Sequence, residues 1–195
     1  MTVKICQILK TMASYRYQDE CEMMRYKENI YSYMLRENYF NFLTLGGIAD
    51  DALTQIVREL DKYLTTICTK IYDEYFAMGT TVPDTLSLDM VRHAAKVLDL
   101  PLTKQYKSLV HNTGYCFFPD DFLDQYIRNS LGEEFLHISR PAHFAIEAEL
   151  HKRLDKLITL SIHSSVLFGD KYIEKDIVEL SSFNLQLCLE DVEEN

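Results

Sequence analysis

The sequence predicts an all-α protein built from two similar three-helix units that pack on each other. Apolar residues recur mostly at helical spacing, and the strict alternation that is typical of strands is rare. Only six Gly and four Pro interrupt a chain of 195 residues, of which 47% are hydrophobic. A short–long–short order of apolar stripes occurs twice at similar spacing, which indicates an internal structural repeat.

The first unit is predicted to begin with a short helix over residues 28–39. The longest apolar stripe of the chain follows over residues 53–75. Asp50 and Asp51 favour a helix N-terminus in front of this stripe, and Gly79 favours its end. After a loop that contains Pro83, Ser87 is the expected N-cap of a third, short helix.

The second unit is predicted to follow the same plan. Pro119 opens a short helix, a long helix carries apolar residues over 146–166, and Gly169 ends it. A last short helix is expected over residues 173–180. The segment between the units, 102–116, has room for one more helix. Because three helices cannot bury the whole stripe of such a long one, we expect the two units to lie antiparallel across each other.

These helices and several residues within them resemble the histone fold, a 2B-like unit followed by a 2A-like unit. The residues that carry the resemblance are Tyr31-Ser32-Tyr33, Gly47-Ile48 and Thr85-Leu86-Ser87 in the first unit, and Phe118-Pro119, Pro141 and Lys171-Tyr172-Ile173 in the second. Fused doublets in this order are known from giant viruses of the Marseillevirus type, which the chain resembles in layout. The resemblance implies two tandem histone folds that form an intramolecular handshake pseudo-dimer.

The resemblance also implies domain boundaries. Residues 1–27 would form an N-terminal extension. The near-helical spacing of its apolar residues is compatible with a helix there. Residues 28–112 would form the 2B-like fold with an extra C-terminal helix, and residues 113–183 the 2A-like fold. Residues 184–195 would be a short acidic tail, where the family has a longer docking segment.

Histones bind DNA mainly through phosphates, using paired loops, helix N-termini and a few arginines that enter the minor groove. The resemblance therefore implies two DNA-facing edges and a central site. One edge would combine Asn41 and Thr44 with Lys171 and Lys175, the other would combine His137 and Arg140 with Thr80 and Thr81, and the centre would use Arg25, Lys27, Arg36 and Arg128. The competing interpretation of each is an ordinary solvated side chain, and it is favoured for Arg140 and Lys175.

A second histone pair would dock on the end of the first long helix and on the helix after it. The residues implied there are Tyr72, Tyr75, Phe76, His93 and Val97, and aromatic residues with one polar tip suit such interfaces. The alternative interpretation of each residue is an ordinary core position, and this interpretation is favoured for Tyr75.

Other site chemistry has little support. His143, Glu147 and His151 share a helix face that could hold a divalent metal, but a polar stripe is the favoured interpretation. No nucleophile–base pair, phosphate loop or paired-carboxylate motif occurs, so we expect no enzyme, no cofactor, no metal and no small-molecule substrate. No apolar run suits a transmembrane helix or a secretory leader. The five scattered Cys favour a reducing compartment.

The charge balance divides the functional hypotheses. The chain has a net charge of -10, and residues 105–195 hold 8 basic against 16 acidic side chains. One hypothesis is a doublet that packages double-stranded DNA with a second histone pair or doublet, in a viral factory, a virion or the host nucleus. The other is an acidic interaction protein, of the transcription-factor-subunit or histone-chaperone type, with little direct DNA binding. A third possibility is an unrelated helical bundle.

Overall fold

The computed structural model describes residues 20–37, 39, 45–75, 85–97 and 137–193. These residues are mostly helical, which agrees with the predicted all-α class. The helices are α1 (Glu20–Arg36), α2 (Asp50–Tyr75), α3 (Leu88–Val97), α4 (Arg140–Phe168) and α5 (Lys175–Glu193). Four two-residue strands separate them: β1 (Gly47–Ile48), β2 (Thr85–Leu86), β3 (His137–Ile138) and β4 (Tyr172–Ile173).

Helix α1 begins eight residues before the predicted start, at Glu20. The end of the predicted extension, residues 20–27, is therefore helical and continuous with the first helix of the unit. The reason lies in the spacing of the buried residues Tyr26, Ile30, Tyr33 and Met34, which places one face of α1 on the core from the helix's second turn onward.

The start and the buried face of helix α2 agree with the sequence. The helix begins at Asp50 with two acidic residues in its first turn, where they complement the helix dipole. Its apolar stripe is buried, and Ile56, Leu60, Leu64 and Ile71 are fully enclosed. The helix ends at Tyr75, and the predicted stop at Gly79 lies outside the described residues.

Side-chain and glycine caps define three further helix ends. The Ser87 hydroxyl accepts from the Met90 backbone N–H at 3.3 Å, as predicted for the N-cap of α3. Ser139 caps α4 in the same way, accepting from Ala142 N–H. The predicted stop at Gly169 is also confirmed, because this residue has φ 77° and its N–H bonds to the carbonyls of the last turn.

The last helix differs most from the prediction. Residue Ile173 lies in strand β4, not in a helix, and α5 continues through the predicted acidic tail to Glu193. No Gly or Pro follows Gly169, so nothing in the sequence breaks this helix. Its inner face is buried at Ile177, Val178, Ser181 and Ser182, and Leu185 extends the contact with the core.

The strands pair between the two halves of the chain, in parallel. Strand β1 pairs with β4, and β2 pairs with β3. Further backbone bonds flank the ladders, from Gly46 N–H to Lys171 O at 2.6 Å and from Ser139 N–H to Leu86 O at 3.0 Å. The β1–β4 pair holds the start of α2 beside the end of α4. The β2–β3 pair holds the start of α4 beside β2, the strand that follows α2 in the chain. The two long helices are therefore antiparallel.

The helices also pack across the halves. Helix α5 packs on α2, and α3 packs on α4, so among the described elements each long helix contacts the helix that follows the other long helix. Near the middle of the long helices, the Arg153 guanidinium lies 5.2 Å from the centroid of the Tyr63 ring. Burial lowers the pKa of Arg153 and raises that of Tyr63. Among the described residues, no helix combines the length and the apolar character of a membrane span.

Candidate nucleic-acid and partner interfaces

Two surface regions combine paired strands with helix N-termini. The β1–β4 end consists of residues 46–51 and 170–176, where α2 and α5 begin. The β2–β3 end consists of residues 85–89 and 137–141, where α3 and α4 begin. A helix N-terminus presents backbone N–H groups without intrahelical partners and a partial positive charge, and both features suit an anion.

Both lysines predicted at the β1–β4 end lie there. Lys171 is exposed, and its backbone carbonyl joins the strand ladder. The Lys175 ammonium lies 3.4 Å from the Glu179 carboxylate. Tyr172, between them, is 50% exposed. A Cβ at position 46 would lie 3.2 Å from the Tyr172 ring, so a side chain there would require the ring to shift by a few tenths of an ångström. Asn41 and Thr44 lie outside the described residues.

Acidic residues outnumber the lysines at this end. Five carboxylates belong to it, from Asp50, Asp51, Asp170, Glu174 and Asp176, and all five residues are exposed. Lys27 reaches Asp50 from α1 and forms an ion pair with it. Only 8% of Lys27 is exposed. The place of Lys27 at a central DNA site stays a prediction; in the structure its ammonium pairs with the Asp50 carboxylate and joins α1 to α2.

The β2–β3 end has a different composition. Arg140 and His137 are exposed there, next to the Ser87 and Ser139 caps. Its one carboxylate among the described residues, Asp89, is paired with Arg92 at 3.4 Å. The first turn of α4 contains no acidic residue. The predicted contacts Thr80 and Thr81 lie outside the described residues.

Arg36 is the central-site residue whose surroundings are clearest. Its guanidinium lies 3.2 Å from the Glu37 carboxylate and 5.6 Å from the centroid of the Tyr33 ring. The side chain is exposed, so these contacts orient it without burying it. Arg25 lies on α1, but its side chain is outside the described set, as is all of Arg128.

The predicted partner surface is only partly visible. His93 is exposed on α3. Tyr72 and Tyr75 lie on the last turns of α2 and Val97 is the last residue of α3, but their side chains are not among those described. Phe76 lies outside the described residues, so this surface stays a prediction.

The possible metal face proves to be buried. His143, Glu147 and His151 are 7%, 2% and 1% exposed on α4. Within the described ranges, no group of three or more His, Cys, Asp or Glu side chains has the arrangement of a metal site. The His151 ring packs edge-on against Tyr33, with centroids 5.9 Å apart, which ties this stripe to α1.

Sequence reasoning missed a carboxylate that joins the two halves. The hydroxyls of Tyr33 and Tyr39 both donate to Asp155 Oδ1, at 2.5 and 2.9 Å. Burial, together with this carboxylate, raises the pKa of both tyrosines. Asp155 lies beside the buried apolar stripe of Leu154 and Leu157 and does not interrupt it, so the sequence pattern does not mark this contact.

A second missed network centres on Glu59 of α2. Its carboxylate accepts from Gln55 at 2.9 Å, from Lys62 at 2.6 Å and from Ser182 of α5 at 2.5 Å. Burial alone would raise the pKa of Glu59, but these donors favour the carboxylate and hold the pKa below its usual value. The network fixes α5 on α2.

Large apolar side chains are also exposed at the end of α4 and on the outer face of α5. Leu167 is 82% exposed, Phe168 60% and Phe183 56%. Contiguous exposed apolar patches are typical of surfaces that contact another molecule, and Leu167 and Phe168 are neighbours in the sequence. The signal in the sequence was the run from Val166 to Phe168, which extends past the positions needed for the core.

The fold and these surfaces define a mainly α-helical protein whose two halves are joined by reciprocal strand pairs and buried polar contacts. A scan against protein-family models and a search of the curated proteins both find no match to the chain.

Proposed function

We propose that the chain is a fused histone doublet, which acts as a 2B–2A-like heterodimer and packages DNA together with a second histone pair. The observation that carries the proposal is the reciprocal strand pairing: β1 with β4 and β2 with β3. In a histone pair the loop before each long helix lies beside the loop after the partner's long helix. Both pairings of that arrangement occur within this one chain.

The packing of the helices supports the same interpretation. The long helices are antiparallel and meet near their middles, and among the described helices each contacts the one that follows the other long helix. The polar contacts of Asp155 and Glu59 also join the halves across more than 100 residues of sequence. Neither half buries its apolar stripe alone, so the doublet is expected to fold as one unit.

DNA binding is the weaker part of the proposal, and it depends on a partner. Arg140 and Lys171 are exposed next to helix N-termini, where phosphates would gain both backbone donors and a side-chain cation. A net charge of -10 opposes a polyanion, so we expect a basic histone pair to contribute much of the affinity.

The test is an electrophoretic mobility shift with a mixed-sequence duplex, using the full chain alone and mixed with a core histone pair. We expect a discrete complex with the pair that contains this chain and loses affinity steeply with salt. Absence of the chain from every DNA complex, with the histone pair present and the chain folded, would remove the packaging function.

The second candidate is an acidic interaction protein that uses the same fold as a protein-binding platform. The observation that favours it is the exposure of the large apolar side chains of Leu167, Phe168 and Phe183 on an acidic chain. The same assay separates the two functions. A platform would form a complex with the histone pair in size-exclusion chromatography and would withdraw that pair from DNA, whereas a packaging doublet would enter the DNA complex.

A further inference from the structure

Large exposed apolar side chains are concentrated in one stretch of the described chain. Nine such side chains are exposed among the described residues, and six of them lie between Val166 and Phe183. This stretch comprises the end of α4, β4 and the first half of α5. The other three, Met24, Tyr31 and Leu35, lie on α1. Scattered single apolar residues are normal on a protein surface, whereas a concentration of them is typical of a contact with another molecule.

Helix α5 is apolar on two opposite faces. Its inner face packs on the core through Val178 and Leu185. Leu180 and Phe183 are exposed on the opposite face, three residues apart, and the sequence continues their helical spacing with Leu187. A surface helix normally has one apolar face, and a helix that is apolar all round is covered all round. The outer face of α5, defined by positions 176, 180, 183, 187 and 190, therefore suits a covering element.

Acidic residues lie at both ends of this outer face. Asp176 comes seven residues before Phe183 and Glu190 comes seven residues after it, so helical register places all three on one face of α5. The whole helix has five acidic residues and one basic residue, Lys175, whose ammonium lies 3.4 Å from the Glu179 carboxylate. An element that covers the outer face gains most if it has basic residues at both ends of its own apolar stripe.

These acids disfavour a second copy of the chain as the covering element. In a parallel pair of α5 helices centred on Phe183, each Asp176 would lie beside its counterpart, and so would each Glu190. In an antiparallel pair, each Asp176 would lie beside the Glu190 of the other copy. Both orientations bring like charges together in the contact, which opposes association. A helix of opposite charge meets no such repulsion.

The remainder of the sequence contains one competitor for this face. Of the segments outside the described residues, only residues 1–19 hold more basic than acidic side chains, three against one. Residues 98–136 hold three basic and six acidic side chains. The basic segment at the start of the chain therefore has to be tested as an alternative occupant.

We propose that the outer face of α5 binds an amphipathic helix of another protein, whose apolar stripe has Lys or Arg at both ends. Apolar contact with Leu180 and Phe183 supplies affinity, and charge pairs with Asp176 and Glu190 fix the register of the two helices. The contact needs no DNA, so the inference goes beyond the packaging function. It also assigns a surface to the second candidate function, which the assay with the histone pair decides separately.

The experiment measures the binding of a fluorescein-labelled helical peptide of about three heptads to the full chain by anisotropy. The probe peptide has Leu at its three central contact positions and Lys at the two outer ones. A control peptide has Glu at the two outer positions and is otherwise identical. We expect the Lys probe to bind about tenfold more tightly than the Glu probe at low salt, and the difference to shrink as salt is added.

Apolar variants locate the contact on α5. Leu180→Gln with Phe183→Gln should weaken binding of the Lys probe about tenfold or more, because apolar area is lost from the contact. Glutamine has a helix propensity close to that of leucine, so α5 is retained. The matched control is Met24→Gln with Leu35→Gln, which alters two apolar residues of similar exposure on α1. It should change the affinity less than about twofold.

A charge reversal tests the register. Glu190→Lys should weaken binding of the Lys probe about three- to fivefold and strengthen binding of the Glu probe, and a lysine near the C-terminus of α5 suits the helix dipole. Glu28→Lys makes the same change in net charge at an exposed position of α1 and is the control. It should affect both probes less than about twofold.

Three results would overturn the proposal. One is a Lys probe that binds no more tightly than the Glu probe, or whose affinity Leu180→Gln with Phe183→Gln leaves unchanged. Another is a dimer of the wild-type chain that this double variant dissociates, because a second copy would then cover the face. The third is probe binding that requires Lys4→Gln, Lys10→Gln and Arg16→Gln, because residues 1–19 would then be the occupant. Circular dichroism melts of every variant separate a lost contact from a lost fold.

Discussion

Removal of the Asp155 carboxylate should show how strongly the two halves of the chain are joined. This side chain accepts from Tyr33 at 2.5 Å and from Tyr39 at 2.9 Å, and both tyrosines belong to the other half. Tyr33 is 4% exposed, so its hydroxyl has little access to water. Asp155→Ala therefore leaves two phenols without this shared acceptor.

The expected cost follows from the hydrogen bonds. A buried polar group left unsatisfied costs about 1 to 3 kcal/mol, and a bond to a charged acceptor contributes about 1.5 to 3 kcal/mol. Asp155→Ala should thus lower the free energy of unfolding by about 3 kcal/mol, and Tyr33→Phe by about 1 to 2 kcal/mol. Because the bond is shared, the double variant should cost less than the sum of the two single variants.

The assay is urea unfolding of the full chain at neutral pH, followed by circular dichroism. Asp170→Ala is the control, because this carboxylate is exposed just after the α4 cap. A loss below about 1 kcal/mol for Asp155→Ala, or additive single variants, would refute the reasoning, since neither fits a part-buried carboxylate shared by two donors.

Three further predictions concern stability. Burial raises the pKa of Asp61 to about 6, so its ionisation opposes folding as the pH rises through that value. Asp61→Asn should therefore stabilise the chain by about 1 to 3 kcal/mol at pH 7 and not at all below pH 4. Urea unfolding measured across this pH range tests the prediction. Gly169 has φ 77° with open space around its Cβ position, so Gly169→Ala should cost about 1 to 2 kcal/mol in a thermal melt and Gly169→Asn clearly less; equal losses would contradict a backbone cause. Burial raises the pKa of Tyr33, Tyr39 and Tyr63. Above pH 10 the unfolded tyrosines ionise before the folded ones, so the free energy of unfolding should fall by about 1.4 kcal/mol per pH unit for each of these tyrosines. Tyr63→Phe should reduce that slope in alkaline unfolding.

The sequence predicted the helices best where local chemistry determines their ends. Ser87 and Gly169 were identified from residue type alone, because a hydroxyl cap and a left-handed glycine are local requirements. Helix α5 was predicted too short, since its continuation to Glu193 depends on the absence of a breaker and on core contacts, not on a positive signal. The start of α1 was missed because the residues before 28 were assigned to a separate extension.

The candidate site was harder to predict, because charge pairing depends on which elements meet. Lysine is usually a surface residue, and only the packing of α1 on α2 buries Lys27 against Asp50. Asp155 and Glu59 lie beside the apolar stripes of their helices, where polar residues are ordinary. Their partners lie more than 100 residues away, so no local pattern could identify them.

The acidic charge and the proposed packaging function are compatible if the chain contributes shape rather than charge. A histone-like pair positions its DNA contacts by the rigid crossing of its long helices, and the buried networks of Glu59 and Asp155 would supply that rigidity here. Affinity can then come from a basic partner, because phosphate contacts add across an assembly whichever chain provides them.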